Sequence, residues 1–425
     1  MTDLAMTDLA DLTATEMAHR LRAGTLTPAA LLEACLERVA ARDGGVQAFA
    51  HFDAAAARAA VPGVGPLHGL PIGVKDVLDT ADMPSQYGSP IWAGYRPRAD
   101  AAAVAWARAA GAVVIGKTVT TEFATRAPGP TANPHDPQRT PGGSSSGSAA
   151  GVAAGFFPLA FGTQTAGSII RPAAYCGVVG YKPSFGALPR QGMKVMSESL
   201  DTIGAMARSV ADCALFVGAV ARRDLGDPRH RPDRAPRIGV CRSPAWRHAA
   251  SCTQALLSDV ADRLARAGAT VTARELPDRV AAVEQAHPLV MNAESAASMG
   301  WEMLLARDRL SVGLRERLEW GLSHTGDALD SAHAVFAECQ DLVPAAMEGL
   351  DVLLTPAAMD EAPVGLHSTG EPVFNAIWTA LHVPCVTVPA GKGPHGMPLG
   401  IQIVGRRGDD RATLAWAAWI EDALR

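Results

Sequence analysis

The chain has 425 residues, of which 48% are hydrophobic and 19% charged, so it is long enough to bury a large core. A formal net charge of −5 argues against a nucleic-acid-binding protein, which would need a basic stripe. Seven cysteines without a CxxC pair indicate neither a disulfide framework nor a cysteine metal site, as expected for reduced thiols in the cytoplasm.

The N-terminus carries aspartates where a secretory signal peptide would carry lysines before an apolar run. The longest apolar stretch, 149–161, is too short to cross a membrane. We therefore expect a cytoplasmic protein without a membrane segment. The pentapeptide MTDLA at 1–5 recurs at 6–10, which indicates two candidate start sites and leaves the native one open.

Predicted helices and strands alternate along the first half of the chain. Thr27 and Pro28 predict the N-terminus of a helix, since threonine caps and proline suits the first turn. A strand over 69–74, a helix over 100–110 and a strand over 112–117 follow in a βαβ-like order.

The segment 148–155 is almost entirely alanine, glycine and valine, which predicts a helix packed closely on all sides. A strand over 156–162 follows it. Further along, arginines cluster over 222–237, but prolines and aspartates interrupt them, so we interpret this segment as a solvated connector rather than a binding patch. Residues 250–349 are predicted to be mostly helical.

The pattern as a whole predicts the α/β class, with a central mixed β-sheet covered by helices on both faces and a late helical insertion. Three more strands are predicted near the C-terminus, over 351–355, 385–389 and 399–404. We expect one domain over 1–425, divided into N-terminal helices (1–60), a catalytic core (61–220), a mostly helical variable region (221–350) and C-terminal strands with a helix (351–425).

Two glycine-flanked serines suggest chemistry. Ser144 lies in the segment GGSSSGS (142–148), and Ser168 ends the segment GTQTAGS (162–168), 24 residues further on. Lys75 follows an apolar strand, where burial would lower its pKa and favour the neutral amine that a base requires. These residue types suit a Ser-Ser-Lys relay. Taken alone, Lys75 would equally suit a surface lysine paired with Asp76.

Other interpretations of the glycine-serine segment stay open at this stage. Its sequence matches a G-x-S-x-G nucleophile elbow centred on Ser145, with His382 or His395 as the base, but the prolines in 134–141 argue against the strand that this motif needs. A phosphate cradle and a flexible linker are the remaining alternatives. No metal-binding motif is present, so we expect neither a metal nor a cofactor.

These segments resemble the amidase signature family. The family carries glycine-serine loops at 142–148 and 162–168, where this chain has Ser146, Gln164 and Ala166 as substitutions. Sequences similar to those of the family at 175–184, 351–356 and 398–402 extend the resemblance over most of the chain and imply the amidase signature fold. Ala166 fits only if its φ is negative, and Gln164 is expected to alter the support of the loop rather than the chemistry.

The resemblance implies a role for each residue of the relay. Lys75 would be the base, Ser144 a bridging serine after a cis peptide bond, and Ser168 the acylated nucleophile. The backbone amides that would form the oxyanion hole are those of Thr165, Ala166, Gly167 and Ser168.

Within the family, the segments 142–148, 168–177 and 375–379 are most similar to those of bacterial malonamidases. This similarity implies that Arg171 holds a substrate carboxylate, although Arg171 would also suit a role in tying loops together through carbonyls. Met291 stands where those relatives have a polar residue. Together with Phe374, Trp378 and Met359, it predicts a pocket for a larger and less polar substrate group.

The expected function is hydrolysis of a small-molecule amide or carbamate through an acyl-enzyme, with urethane or ester hydrolysis as an alternative. A second alternative is the ammonia-supplying amidase subunit of an amidotransferase, which would need a companion chain. A third is a binding module that retains only the fold. We expect a small-molecule substrate and no nucleic-acid or membrane partner, and a homodimer is left open.

Overall fold

In the computed structural model, eleven strands of the described residues, 9–230 and 232–425, form one mixed sheet. The first MTDLA copy and most of the second lie outside the described residues. In chain order the strands are β1 (Phe49–Phe52), β2 (Pro71–Lys75), β3 (Val113–Thr118), β4 (Leu159–Gln164), β5 (Val179–Lys182), β6 (Thr202–Ala207), β7 (Arg237–Cys241), β8 (Thr270–Arg274), β9 (Val352–Pro356), β10 (Cys385–Lys392) and β11 (Pro398–Val404).

The sheet order is β1-β3-β2-β4-β6-β5-β10-β11-β9-β7-β8. Strands β3, β2 and β4 run parallel to one another, as do β9, β7 and β8. Antiparallel strands join these two parallel groups. The sheet is therefore mixed, as the sequence predicts.

Helices pack against the sheet and fill the late insertion. They are α1 (Ala14–Arg22), α2 (Pro28–Val46), α3 (Ala54–Ala59), α4 (Ala102–Ala109), α5 (Ser146–Ala154), α6 (Ile170–Cys176), α7 (Val210–Ala221), α8 (Ser251–Arg266), α9 (Val283–Ser298), α10 (Gly300–Leu305), α11 (Val312–Leu322), α12 (Gly326–Ala346), α13 (Ala376–Ala380) and α14 (Asp410–Ala423). Within the described residues, no helix combines the length and apolar character that a membrane span requires.

Both faces of the sheet are covered. Successive side chains of a strand point to opposite faces. In β4, Leu159 and Phe161 join a buried cluster that contains Phe216 of α7, whereas Ala160 joins a different cluster with Val152 of α5. The predicted arrangement of helices on both faces is thus confirmed.

Helix α5 shows why its sequence is limited to small residues. A Cβ atom added to Gly147 would lie 2.0 Å from the carbonyl oxygen of Ala48, and one added to Gly151 would lie 2.2 Å from the ring of Phe157. No larger side chain fits at either position without moving the backbone or an aromatic ring. The prediction of a closely packed helix is confirmed.

Several strands escaped the sequence analysis. Strands β7 and β8 lie inside the region 221–350 that was expected to be mostly helical, and β1 lies among the expected N-terminal helices. In the connector, Arg234 and Arg237 form ion pairs of 2.6 and 3.0 Å with Asp351, next to β9. These two arginines therefore anchor the connector to the sheet.

Candidate active site

Lys75 is the last residue of β2, which lies between β3 and β4 in the sheet. Its side chain is fully buried, and burial lowers the pKa of the amine to about 7 against a small opposing effect of the Asp201 carboxylate. The amine donates hydrogen bonds of 2.7 Å to Ser144 Oγ and to Thr163 Oγ1. A large fraction of Lys75 is therefore neutral near pH 7.

The alternative of a surface lysine paired with Asp76 is wrong. Asp76 instead forms an ion pair of 2.9 Å with Lys117 of β3, and both side chains are buried. Lys117 also donates to Ser85 Oγ at 2.5 Å. Lys75 and Asp76 thus belong to separate buried networks.

The peptide bond between Gly143 and Ser144 is cis, as the resemblance implies. Arg171 Nη2 donates a hydrogen bond of 2.7 Å to the carbonyl oxygen of Gly143. The carbonyl oxygen of Ser144 accepts from the amide of Thr121 at 3.2 Å. These contacts hold the Ser144 peptide beside the segment that follows β3 on one side and beside α6, which follows Ser168, on the other.

The nucleophile elbow and the linker do not fit this segment. Residues 141–150 are all buried, unlike a flexible linker, and 134–141 forms only isolated bridges instead of a strand. The Ser145 hydroxyl is buried and bonded to the backbone of Thr163 at 3.3 Å. His382 is hydrogen-bonded to Ser199, and His395 to Glu361, so neither histidine contacts Ser145.

Ser168 lies on the loop between β4 and α6 and is 8% exposed. It lines a small cavity of about 40 Å³. The other cavity-lining residues that the sequence analysis named are Thr165, Ala166, Arg171 and Met291.

The loop 165–168 is held through its side chains and carbonyl groups. Thr165 Oγ1 donates to the Asp201 carboxylate at 2.5 Å, and the carbonyl oxygen of Thr165 lies 2.9 Å from His287 Nε2. Thr379 Oγ1 donates to the carbonyl oxygen of Ala166 at 2.8 Å. No acceptor within the described residues takes the amide hydrogens of Ala166, Gly167 or Ser168. These amides are therefore free to bind an oxyanion.

The two substitutions in this loop are accommodated as expected. Ala166 is not among the residues with positive φ, so its Cβ is tolerated. Gln164 Oε1 accepts hydrogen bonds of 2.9 and 3.0 Å from the amides of Ile169 and Ile170. Its Nε2 donates to Thr379 at 3.0 Å. Gln164 thus supports the loop through neutral hydrogen bonds.

Arg171 is buried, and burial lowers its pKa to about 10. Besides the bond to Gly143, its Nη2 lies 3.3 Å from Thr369 Oγ1. Its Nε and Nη1 atoms are both buried and have no hydrogen-bond partner among the described residues. Arg171 therefore ties two loops together and also retains two donors beside the cavity that Ser168 lines.

A larger cavity of about 300 Å³ adjoins the small one and shares Arg126, Ala166, Met291, Arg317 and Pro372 with it. Met291 thus lines both cavities. Phe374 and Trp378 line neither: Phe374 is buried against Ala245, Ala249 and Met359, and Trp378 lies in a core cluster.

The sequence analysis assigned no role to Thr163, Asp201 or His287. Thr163 lies inside a recognised motif, where its hydroxyl was an available signal. Asp201 and His287 reach the loop from distant segments, and no local pattern marks them. Among the described residues, no three His, Cys, Asp or Glu side chains gather as metal ligands.

Known proteins are similar to this chain along almost its full length. The family model described as Amidase matches residues 30–414. A glutamyl-tRNA(Gln) amidotransferase subunit of Salinispora arenicola is 34% identical over an alignment of 492 residues, which covers 99% of this chain and 98% of that protein.

Two solved structures share the fold. The native peptide amidase from Stenotrophomonas maltophilia is 29% identical with a TM-score of 0.82, and the match covers 99% of this chain and 98% of that one. The 6-aminohexanoate cyclic dimer hydrolase in complex with its substrate is 25% identical with a TM-score of 0.89, and the match covers 98% of both chains.

Proposed function

This chain belongs to the amidase signature family, and on that premise we propose that it hydrolyses a small-molecule amide through an acyl-enzyme on Ser168. The observation that carries the proposal is the buried contact of 2.7 Å between Lys75 Nζ and Ser144 Oγ. Because burial brings the pKa of Lys75 to about 7, its neutral amine can accept the Ser144 proton over that distance.

In the proposed mechanism, Ser144 passes the proton of Ser168 to Lys75 while Ser168 Oγ attacks the substrate carbonyl. The oxyanion that forms is stabilised by the unpaired amides of the loop 165–168. The proton then returns through Ser144 to the leaving amine as the C–N bond breaks. A water molecule repeats the attack on the acyl-enzyme and releases the acid.

The substrate is proposed to be an amide with a polar or carboxylate group near the scissile carbonyl. The Nε and Nη1 donors of Arg171, which have no partner among the described residues, support this choice. A carboxylate can accept two parallel hydrogen bonds from a guanidinium and also neutralise its buried charge. The apolar wall at Met291 supports a less polar remainder. Carbamates and esters undergo the same acyl transfer, so the proposal includes urethanes. The malonamidase-like specificity stays a prediction, and so does a homodimer.

A second candidate is the ammonia-supplying subunit of an amidotransferase, which the relative from Salinispora favours. The same relay would then hydrolyse glutamine. The alignment extends over 492 residues although this chain has only 425, so that relative contains segments that this chain lacks.

The proposal is tested with a neutral fluorophosphonate probe followed by peptide mapping. We expect one adduct, on Ser168, and its absence would favour a fold without catalysis. A panel of malonamate, aryl amides, aryl carbamates, esters and glutamine then identifies the substrate class. Glutaminase activity that appears only with a companion chain in gel filtration would favour the amidotransferase role.

A further inference from the structure

Arg317 of α11 lies where the two cavities meet. It lines both the small cavity beside Ser168 and the adjoining one of about 300 Å³. Arg171, by contrast, lines only the small cavity. A ligand group that reaches Arg317 can therefore extend away from the scissile carbonyl into the larger space.

Arg317 differs from Arg126 and Arg247, the other arginines that line the larger cavity, which are each paired with a carboxylate. Arg126 is paired with Glu371 through two nitrogens at 2.7 and 2.6 Å, and Arg247 is paired with Glu284 at 2.7 Å. Within the described part of the chain, no carboxylate forms an ion pair with Arg317. Burial and the charge of Arg126 lower the pKa of Arg317, and Glu371 offsets this only in part. The junction thus carries an uncompensated positive charge.

Apart from the ion pairs Arg126–Glu371 and Arg247–Glu284, the lining of the larger cavity is largely apolar. Its walls include Val283, Met291, Pro372 and Ile377. Such a surface contributes binding free energy by burying apolar ligand area, while the guanidinium of Arg317, which has no carboxylate partner among the described residues, can orient an anionic group. The combination suits an amphipathic ligand.

We propose that Arg317 is a specificity-determining residue that selects substrates carrying an anionic group, such as a carboxylate, separated from the scissile carbonyl by an apolar segment. The inference rests on the proposed amide hydrolysis. It assigns to Arg317 a contact further from the reacting carbonyl than the one proposed for Arg171.

The test compares matched anionic and neutral substrates. One pair places the charge on the acyl side, glutaryl 4-nitroanilide against 5-oxohexanoyl 4-nitroanilide. The other places it on the amine side, N-hexanoyl-4-aminobenzoate against N-hexanoyl-4-aminoacetophenone. Both pairs are assayed with the full chain, with Arg317→Met and Arg317→Lys, and with Arg315→Met as a control, because Arg315 lies on the same helix but lines neither cavity.

In at least one pair we expect the native chain to prefer the anionic member. Arg317→Met should lower kcat/KM for that member by about 10- to 100-fold, mainly through KM, as expected for a lost charged hydrogen bond. The neutral member should change little, Arg317→Lys should restore part of the loss, and Arg315→Met should match the native chain.

Labelling of Ser168 by the neutral fluorophosphonate reports on the proposed function separately. If none of the four amides is turned over, the anionic members must still protect Ser168 from labelling better than the neutral ones. The inference about Arg317 is overturned if the native chain shows no charge preference in rate or protection, or if Arg317→Met leaves that preference intact.

Discussion

Lys75 Nζ lies 2.7 Å from Ser144 Oγ, and within the described residues no carboxylate accepts a hydrogen bond from this amine. Its partners are the hydroxyl groups of Ser144 and Thr163, which stabilise a charged amine much less than a carboxylate would. The Asp201 carboxylate acts only at longer range and is itself bonded to Thr165. The neutral amine is thus available at ordinary pH, which a general base requires.

Removing either end of the relay should abolish hydrolysis. Lys75→Ala and Ser168→Ala are each expected to lower kcat/KM by at least about 10³-fold, because no other described base contacts Ser144, and Ser144→Ala should also be severe. Ser145→Ala is the matched control, since within the described part of the chain its hydroxyl bonds to the backbone of Thr163 and to no other residue. Steady-state rates on one aryl amide measure the effect, and near-native activity of Lys75→Ala would refute the relay.

The pH profile should follow Lys75. Its pKa is lowered to about 7, so the neutral fraction and kcat/KM should rise with pH through about 7 and level off above 8. His287, which contacts the loop 165–168, has a pKa lowered to about 4 and is already neutral over this range. His287→Asn should therefore keep the midpoint even if the rate falls. A profile that is flat between pH 6 and 8 would contradict the assignment to Lys75.

Arg171→Ala should weaken carboxylate-bearing substrates selectively. The variant lacks the Nε and Nη1 donors, so it loses a charged hydrogen bond to the substrate carboxylate. We therefore expect kcat/KM for malonamate to fall about 10- to 100-fold more than for a neutral amide. The lost bond to Gly143 should lower both rates equally. Thr369→Val, which removes only the 3.3 Å contact, serves as the control. Equal losses across the panel would mean that Arg171 only ties the loops together.

Gly167→Ala should inactivate the enzyme. An added Cβ would lie 2.5 Å from Asn375 Oδ1 and 2.8 Å from Pro372 Cβ, so the loop 165–168 must shift. Misplacing oxyanion donors typically costs about 10²–10³-fold in kcat. Gly313→Ala on α11 meets no atom within 4 Å and should leave kcat unchanged. Retained kcat in Gly167→Ala, with native circular dichroism, would argue against the proposed oxyanion hole.

Lys117→Met should destabilise the fold by leaving the Asp76 carboxylate buried without its partner. Breaking a buried pair in this way typically costs about 3–5 kcal/mol of the free energy of unfolding. Urea unfolding measures the shift in midpoint. The double variant with Asp76→Asn removes the uncompensated charge and should recover part of the loss. A double variant that is no more stable than Lys117→Met would show that the carboxylate charge is not the cause.

Local sequence was sufficient where structure depends on neighbouring residues. The Gly-Ser segments, the small-residue helix α5 and the apolar strand ending at Lys75 are each encoded within about ten residues, and all three appear as predicted. Strands β7 and β8 were missed because they are short and lie among longer helical patterns. β7 enters the sheet by pairing with β9, which begins 111 residues after β7 ends, and β8 pairs with β7.

The sequence by itself was enough to propose which residues carry the chemistry: Lys75, Ser144 and Ser168, at spacings that resemble those of the family. Only the tertiary structure decided their burial, the pKa of Lys75 and their hydrogen-bond partners, because these properties depend on groups brought together from distant segments. Thr163 reaches Lys75 across 88 residues of chain. The same reason explains why Phe374 and Trp378 became core residues while Arg317, which the sequence did not mark, lines both cavities.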